Sequence, residues 1–279
     1  MIIILNSLTG HNTATGTAYV DCGGGEPLVL IHGVGLNRQV WQPQLDAFSD
    51  EFRVIAYDTL GHGNSRNPGP DPGLDDYIEQ LVEFLDTLEI QPVNLCGHSM
   101  GALITLGFSL KYPGRVRRII SMMAAYDRSP EHRHRSRKIA DILADSGAGV
   151  LLDSTLKRWF TEQDYSDPAR AELIHRVANW LKAADKDGYS RAYRVLAENG
   201  ETHVGLLADI TAPALFITAQ NDPNSTPEMS RRMAEKVQRG QVHIMPGERH
   251  MGQYLAAQGI EPLIRRFLQT PLPEELSNA

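Results

Sequence analysis

Short apolar runs bounded by turn residues recur along the chain. Residues 27–31, 53–57 and 93–96 are rich in β-branched side chains and do not alternate with polar ones. Runs of this kind suit strands covered on both faces, as in a parallel sheet. Residues 116–123, 214–218 and 242–245 repeat the pattern, and the apolar start at 1–5 reads as a first strand. Helical periodicity fills the intervals. Leu74, Tyr77, Ile78, Leu81, Val82, Leu85 and Leu88 recur at three- and four-residue spacing, with Asp75, Asp76, Glu79, Glu83 and Asp86 opposite. That predicts an amphipathic helix over 74–88. Residues 100–112 are apolar on most sides and predict a buried helix that stops at Pro113-Gly114. Residues 227–237 and 260–268 predict two more helices. Strands alternating with helices imply βαβ units and a mostly parallel sheet.

One stretch departs from this rhythm. Residues 127–207 carry helical patterns and no convincing strand, with Trp159-Phe160, Trp180-Leu181 and residues 193–196 marking apolar faces. An all-helical insertion between two strands predicts a separate cap over 127–207, on a core formed by 1–126 and 208–279. The Pro- and Glu-rich tail from Pro271 is expected to fray.

Composition narrows the function classes. At 279 residues the chain can bury one large core. Its net charge of −7 argues against nucleic acid as a partner. No apolar run approaches the roughly 20 residues of a membrane span, and 1–5 lacks a basic leader, so no membrane association is expected. Two cysteines, Cys22 and Cys96, make no disulfide framework and fit a reducing, cytoplasmic setting, with Cys96 a buried core thiol. No Cys/His cluster suggests a metal, and Gly23-Gly24-Gly25 precedes a strand without a phosphate-binding pattern, so no cofactor is expected.

Gly97-His98-Ser99-Met100-Gly101 fits G-x-S-x-G, directly after a buried strand pattern and directly before a helix pattern. A strand-to-helix turn this sharp strains the serine backbone and presents its oxygen at the carboxyl end of the sheet. The helix N-terminus beneath it favours developing negative charge.

On these residues the chain resembles the α/β-hydrolase superfamily over nearly its whole length. The resemblance implies an α/β-hydrolase fold: a mostly parallel eight-stranded sheet flanked by helices, with a helical cap. His32-Gly33-Val34-Gly35 resembles the family's HGxG oxyanion loop, which implies that the Val34 and Met100 amides hold a tetrahedral oxyanion, with His32 a candidate substrate contact. Asp58 with Gly61-His62-Gly63-Asn64-Ser65 resembles a family turn that is read as structural. His250, in the loop after the strand at 242–245, matches the family's late histidine and is the expected base. Asp222, after the strand at 214–218, matches the acid position, and Asp127 is its rival. The order Ser99, Asp222, His250 is the one this fold uses. His132 and His134 lie in a charged run and are expected to be solvated, and His11, His175, His203 and His243 have no supporting context.

A serine nucleophile points to acyl transfer on a small ester or lactone, without metal or cofactor. Arg158-Trp159-Phe160, with Gly188-Tyr189 downstream, resembles the cap of 3-oxoadipate enol-lactonase-like hydrolases, although Glu198-Asn199-Gly200 departs from their acidic pair. Residues 131–138 form a basic run, in which Arg133 and Arg137 are candidates to pair a substrate carboxylate. Trp159 and Trp180 are candidate pocket walls. The alternatives are a hydrolase of carbon–carbon bonds in diketo acids, a peroxide-dependent side activity, and a non-enzymatic receptor for a small ligand. A homodimer is left open.

Overall fold

The computed structural model describes residues 10–272, so the strand expected at 1–5 and most of the tail expected to fray lie outside the described residues. The elements run β1 (His11–Asn12), β2 (Ala18–Cys22), β3 (Glu26–Ile31), α1 (Gln42–Phe48), β4 (Phe52–Tyr57), α2 (Leu74–Thr87), β5 (Val93–His98), α3 (Met100–Lys111) and β6 (Val116–Met122). Five helices follow without a strand: α4 (Pro130–Ser146), α5 (Leu152–Trp159), α6 (Glu162–Ser166), α7 (Pro168–Ala183) and α8 (Lys186–Glu198). The sheet then resumes with β7 (Ala214–Ala219), α9 (Pro227–Lys236), β8 (Gly240–Met245), α10 (Gly252–Leu255) and α11 (Ala257–Gln269).

Among the described residues, eight strands form one sheet in the order β1-β2-β4-β3-β5-β6-β7-β8. The pairs β1–β2 and β2–β4 are antiparallel, and the rest are parallel. The apolar runs at 27–31, 53–57, 93–96, 116–123 and 214–218 are inner strands, with β5 and β7 buried at every position, whereas the run at 242–245 belongs to β8, which ends the sheet and leaves Gln241 and Val242 exposed. Two strands escape the sequence reading. β2 is half-buried at the antiparallel side of the sheet and mixes Asp21 and Cys22 with apolar residues, and β1 is two exposed residues long. Neither has the buried run that marks its neighbours.

Helix α2 buries Leu74, Tyr77, Ile78, Leu81, Phe84 and Leu85, as its periodicity predicts. It also buries Gln80, whose amide accepts from Leu60 N–H and donates to Thr17 and to the Asp58 carbonyl. α3 is buried through its first ten residues, which is why it shows no polar stripe. The chain moves from β4 across β3 to β5, so the strand order reverses between β3 and β5. The crevice beyond the carboxyl ends of such a pair is where open α/β sheets hold ligands.

Candidate active site

The turn between β5 and α3 is built by close backbone contact. Ser99 has φ 55° and ψ −112°, a conformation that is strained for a residue with a side chain. Glycine on either side makes it possible. A Cβ on Gly97 would lie 2.1 Å from the Gly101 carbonyl oxygen, and one on Gly101 would lie 2.1 Å from that of Ile31. Ser99 N–H donates to Met122 O at 2.8 Å, which continues the β5–β6 ladder into the turn.

The loops after β7 and β8 converge on this serine. His250 Nε2 lies 3.2 Å from Ser99 Oγ, and His250 Nδ1 lies 2.7 Å from Asp222 Oδ2. The other Asp222 oxygen accepts from the N–H groups of Asn224 (2.8 Å) and Ser225 (3.2 Å). With Asp222 Oδ2 accepting from Nδ1, the His250 ring carries its proton there and turns the Nε2 lone pair toward the serine. All three side chains are buried. The two loops are tied to each other: Asn221 N–H donates to Glu248 O at 3.0 Å, and Gly247 N–H to Gln220 Oε1 at 2.9 Å. Asp127, the rival acid, instead pairs with Arg232 and is a third exposed.

The loop expected to hold an oxyanion follows β3. Neither the Val34 nor the Met100 N–H is engaged by another described residue, and Met100 opens α3, where the first amides lack helical partners. Gly35 N–H donates to His62 Nε2 at 2.9 Å, so the turn at 61–65 holds this loop from below. His98 is the neighbour of the serine but its Nε2 donates to His250 O at 2.9 Å, and burial together with the nearby His250 keeps it neutral.

A cavity of about 200 Å³ opens above Ser99 and His250. Val34 and Asn224 wall it from the core; Arg128, His132, Arg135, Arg158, Trp159, Tyr193 and Leu196 wall it from the cap. The Trp159 ring lies 5.5 Å from the His250 ring. Gly188 meets Gly61 so closely that a Cβ on it would lie 2.3 Å from the Gly61 carbonyl oxygen, and Tyr189 covers Gly35. The Arg-Trp-Phe and Gly-Tyr segments therefore sit where the cap touches the core.

Four candidate contacts fall elsewhere. His32 is buried beneath the oxyanion loop: Nδ1 donates to Gly33 O at 2.8 Å and Nε2 accepts from Thr59 N–H at 3.0 Å, and burial lowers its pKa to about 4. With both ring nitrogens used, it braces the loop and does not reach the cavity. Arg133 pairs with Glu201 and donates to Arg128 O, and Arg137 is exposed on α4; neither lines the cavity. Trp180 packs 5.7 Å from the Tyr254 ring, away from the site. His132 is the reverse case, since it lines the cavity with Nδ1 2.9 Å from Ser129 Oγ. Arg128, Arg158, Tyr193 and Asn224 are among the wall residues that the sequence reading did not single out as contacts. The packing of α5 and α8 turns Arg158 and Tyr193 to the cavity, and the loops before α4 and after β7 bring Arg128 and Asn224 to it.

Comparison with known proteins now bears on this geometry. Residues 26–257 match the model of the alpha/beta hydrolase fold family. The chain belongs to that family. It is 36% identical over 265 residues to an (E)-2-((N-methylformamido)methylene)succinate hydrolase of Acinetobacter baylyi, covering 95% of this chain and 96% of that one. A 3-oxoadipate enol-lactonase of the same species is 25% identical over 266 residues, covering 94% and 97%. Among solved structures, a thermophilic esterase from Thermogutta terrifontis with malate bound superposes with a TM-score of 0.84 at 26% identity, covering 94% of this chain and 97% of that one. This α/β hydrolase has, among its described residues, no helix long and apolar enough to cross a membrane.

Proposed function

We propose that the protein hydrolyses an ester or lactone bond of a small molecule through an acyl-enzyme on Ser99. The observation that carries this reading is the unbroken path of hydrogen bonds from Asp222 through His250 to Ser99 Oγ, ending at a cavity of about 200 Å³. Ser99 Oγ attacks the carbonyl carbon while its proton passes to His250 Nε2. Asp222 stabilises the imidazolium that forms, and the Val34 and Met100 amides receive the oxyanion, each such donor being worth about 3 kcal/mol of barrier. The protonated His250 then gives its proton to the leaving oxygen as the C–O bond breaks. Water, deprotonated by His250, attacks the acyl-enzyme and frees the acid, and Ser99 recovers its proton.

A panel of p-nitrophenyl esters, lactones, an enol-lactone and a vinylogous diketo acid tests this, with Ser99→Ala beside the wild type. Turnover of esters or lactones that falls about 10⁴-fold or more in the variant is the expected result. Preference for the diketo acid would move the reading to carbon–carbon hydrolysis, and no turnover of any probe would move it to a receptor. One relative favours a second acyl donor. The succinate hydrolase of A. baylyi is named for a substrate with a formamido group, whose carbonyl the same serine chemistry can attack. An N-formyl enamide therefore belongs in the panel.

A further inference from the structure

Arg128 lies on the chain between β6 and the start of α4, and only 8% of it is exposed. Its stem packs beside Gly200, where an added Cβ would meet Cδ at 3.3 Å, and its carbonyl accepts from Arg133. Its guanidinium makes no hydrogen bond or ion pair with any described residue. The contrast with other arginines is sharp: Arg133 pairs with Glu201, Arg170 with Asp164 and Glu248, Arg232 with Asp127 and Arg118 with Glu26. Arg128 instead lines the cavity with Ser99 and His250, and no aspartate or glutamate among the described residues lines it.

A guanidinium stays charged at any ordinary pH, and burying one without a counter-ion is costly. Burial accordingly pushes Arg128 below its usual range, against a weaker opposing pull from Tyr193 and Asp222. Asp222 cannot serve as its partner, because both of its oxygens are committed to His250 and to backbone amides. Arg158, on the same cavity, donates to Thr155 Oγ1 at 3.1 Å and has a buried Nε without a partner. Planar, unpaired forks of this kind match a carboxylate, which can accept two parallel N–H bonds.

We propose that Arg128 receives a carboxylate of the substrate, with Arg158 as the second cationic contact, so that the natural substrate is a small acyl compound carrying a free carboxylate besides the scissile carbonyl. The proposal rests on the serine-hydrolase reading and deepens it. Monoethyl succinate and ethyl butyrate form a matched pair, alike in length and leaving group and different in terminal charge.

The wild type should favour monoethyl succinate in kcat/KM. In Arg128→Met the ratio of the two kcat/KM values should fall about 100-fold, the range of a lost charge-assisted pair, and Arg128→Lys should restore part of it. A ratio unchanged in Arg128→Met, or a wild type with no preference for the charged ester, overturns the proposal. Circular dichroism and thermal melts report on folding, and if Arg128→Met does not fold, the ratio in Arg128→Lys decides. If neither ester is turned over, calorimetric titration with succinate separates the two readings. Binding by the wild type that is lost in the Arg128 variant keeps the carboxylate site while the ester-hydrolase reading falls, and absence of binding by the wild type overturns the site as well.

Discussion

Two buried histidines beside the candidate site, His32 and His62, are structural, and their neutral rings hold the loop at 32–35 in place. His32 and His62 each use one ring nitrogen as a donor and the other as an acceptor for a backbone amide, which requires the neutral ring. Burial lowers the pKa of His32 to about 4 and, with His32 beside it, that of His62 to about 3. In the unfolded chain both titrate near 6.5. Below that pH the unfolded state takes up protons that the folded state refuses, so stability is complete above about pH 6.5 and drains as pH falls toward 4. The loss should reach roughly 2 kcal/mol per histidine between pH 7 and pH 5. Urea denaturation at the two pH values measures it. His62→Gln, which keeps an acceptor for Gly35 N–H, should be less acid-sensitive by one histidine's share, and an unchanged pH dependence would show that His62 does not titrate on unfolding.

Elements meet at the serine turn with no room to spare. α3 can start beneath Ser99 only because Gly101 lets its first turn lie against the carbonyl of Ile31 at the end of β3. Gly101→Ala should push α3 from β3, costing about 1–3 kcal/mol. Displacement of the Met100 amide should also lower kcat well beyond the stability loss. Thermal melts and ester kinetics on the same preparation distinguish the two effects. A variant with normal kcat and a lowered Tm would show that the helix start tolerates the shift. At the next junction, Gly35 has φ 78° and lies under Tyr189 of α8, where a Cβ would approach the ring to 2.7 Å. The oxyanion loop is therefore pressed between the turn at 61–65 and the cap.

At the scale of the molecule, polar ties join the helices between β6 and β7 to the loop that carries His250. Arg170 on α7 bonds Asp164 on α6 (2.5 Å) and Glu248 (2.7 Å), and Arg249 donates to the carbonyls of Lys157 (2.6 Å) within α5 and Phe160 (3.1 Å) just beyond it. Glu248 and Arg249 immediately precede His250, so the cap braces the loop that carries the base. Arg170→Ala should lower the melting temperature by a few degrees, in line with the loss of about 1–2 kcal/mol of charged hydrogen bonding. It should also reduce kcat/KM about tenfold by loosening His250. A melting point that falls while kcat/KM holds would confine the network to stability.

Much of this architecture was legible in the chain because it is written locally. Buried strands of a parallel sheet are continuous apolar runs, α2 carries its core face at helical spacing, and the 97–101 motif puts glycines where only glycine fits. Strand β2 was not legible, since only Ala18 and Val20 of its five residues are buried and it loses the signature of the inner strands. The site divides along the same line. Its elbow serine follows from strand, turn and helix in sequence, whereas the distinction between Asp222 and Asp127 depends on which loop folds back over His250 and which meets Arg232. The cap side of the cavity was the least legible part. A basic run states that cations are present, but Arg133 and Arg137 face Glu201 and solvent while Arg128 faces the cavity. Arg133 and Arg137 lie on α4, where one-residue steps turn a side chain by about 100°, and Arg128 lies in the segment before it, so which of them reaches the cavity is settled only by packing. The order of elements and the proposed nucleophile belong to the sequence; the pairing of Asp222 with His250 and the placement of Arg128 on the cavity belong to the tertiary structure, because they are made between segments far apart in the chain.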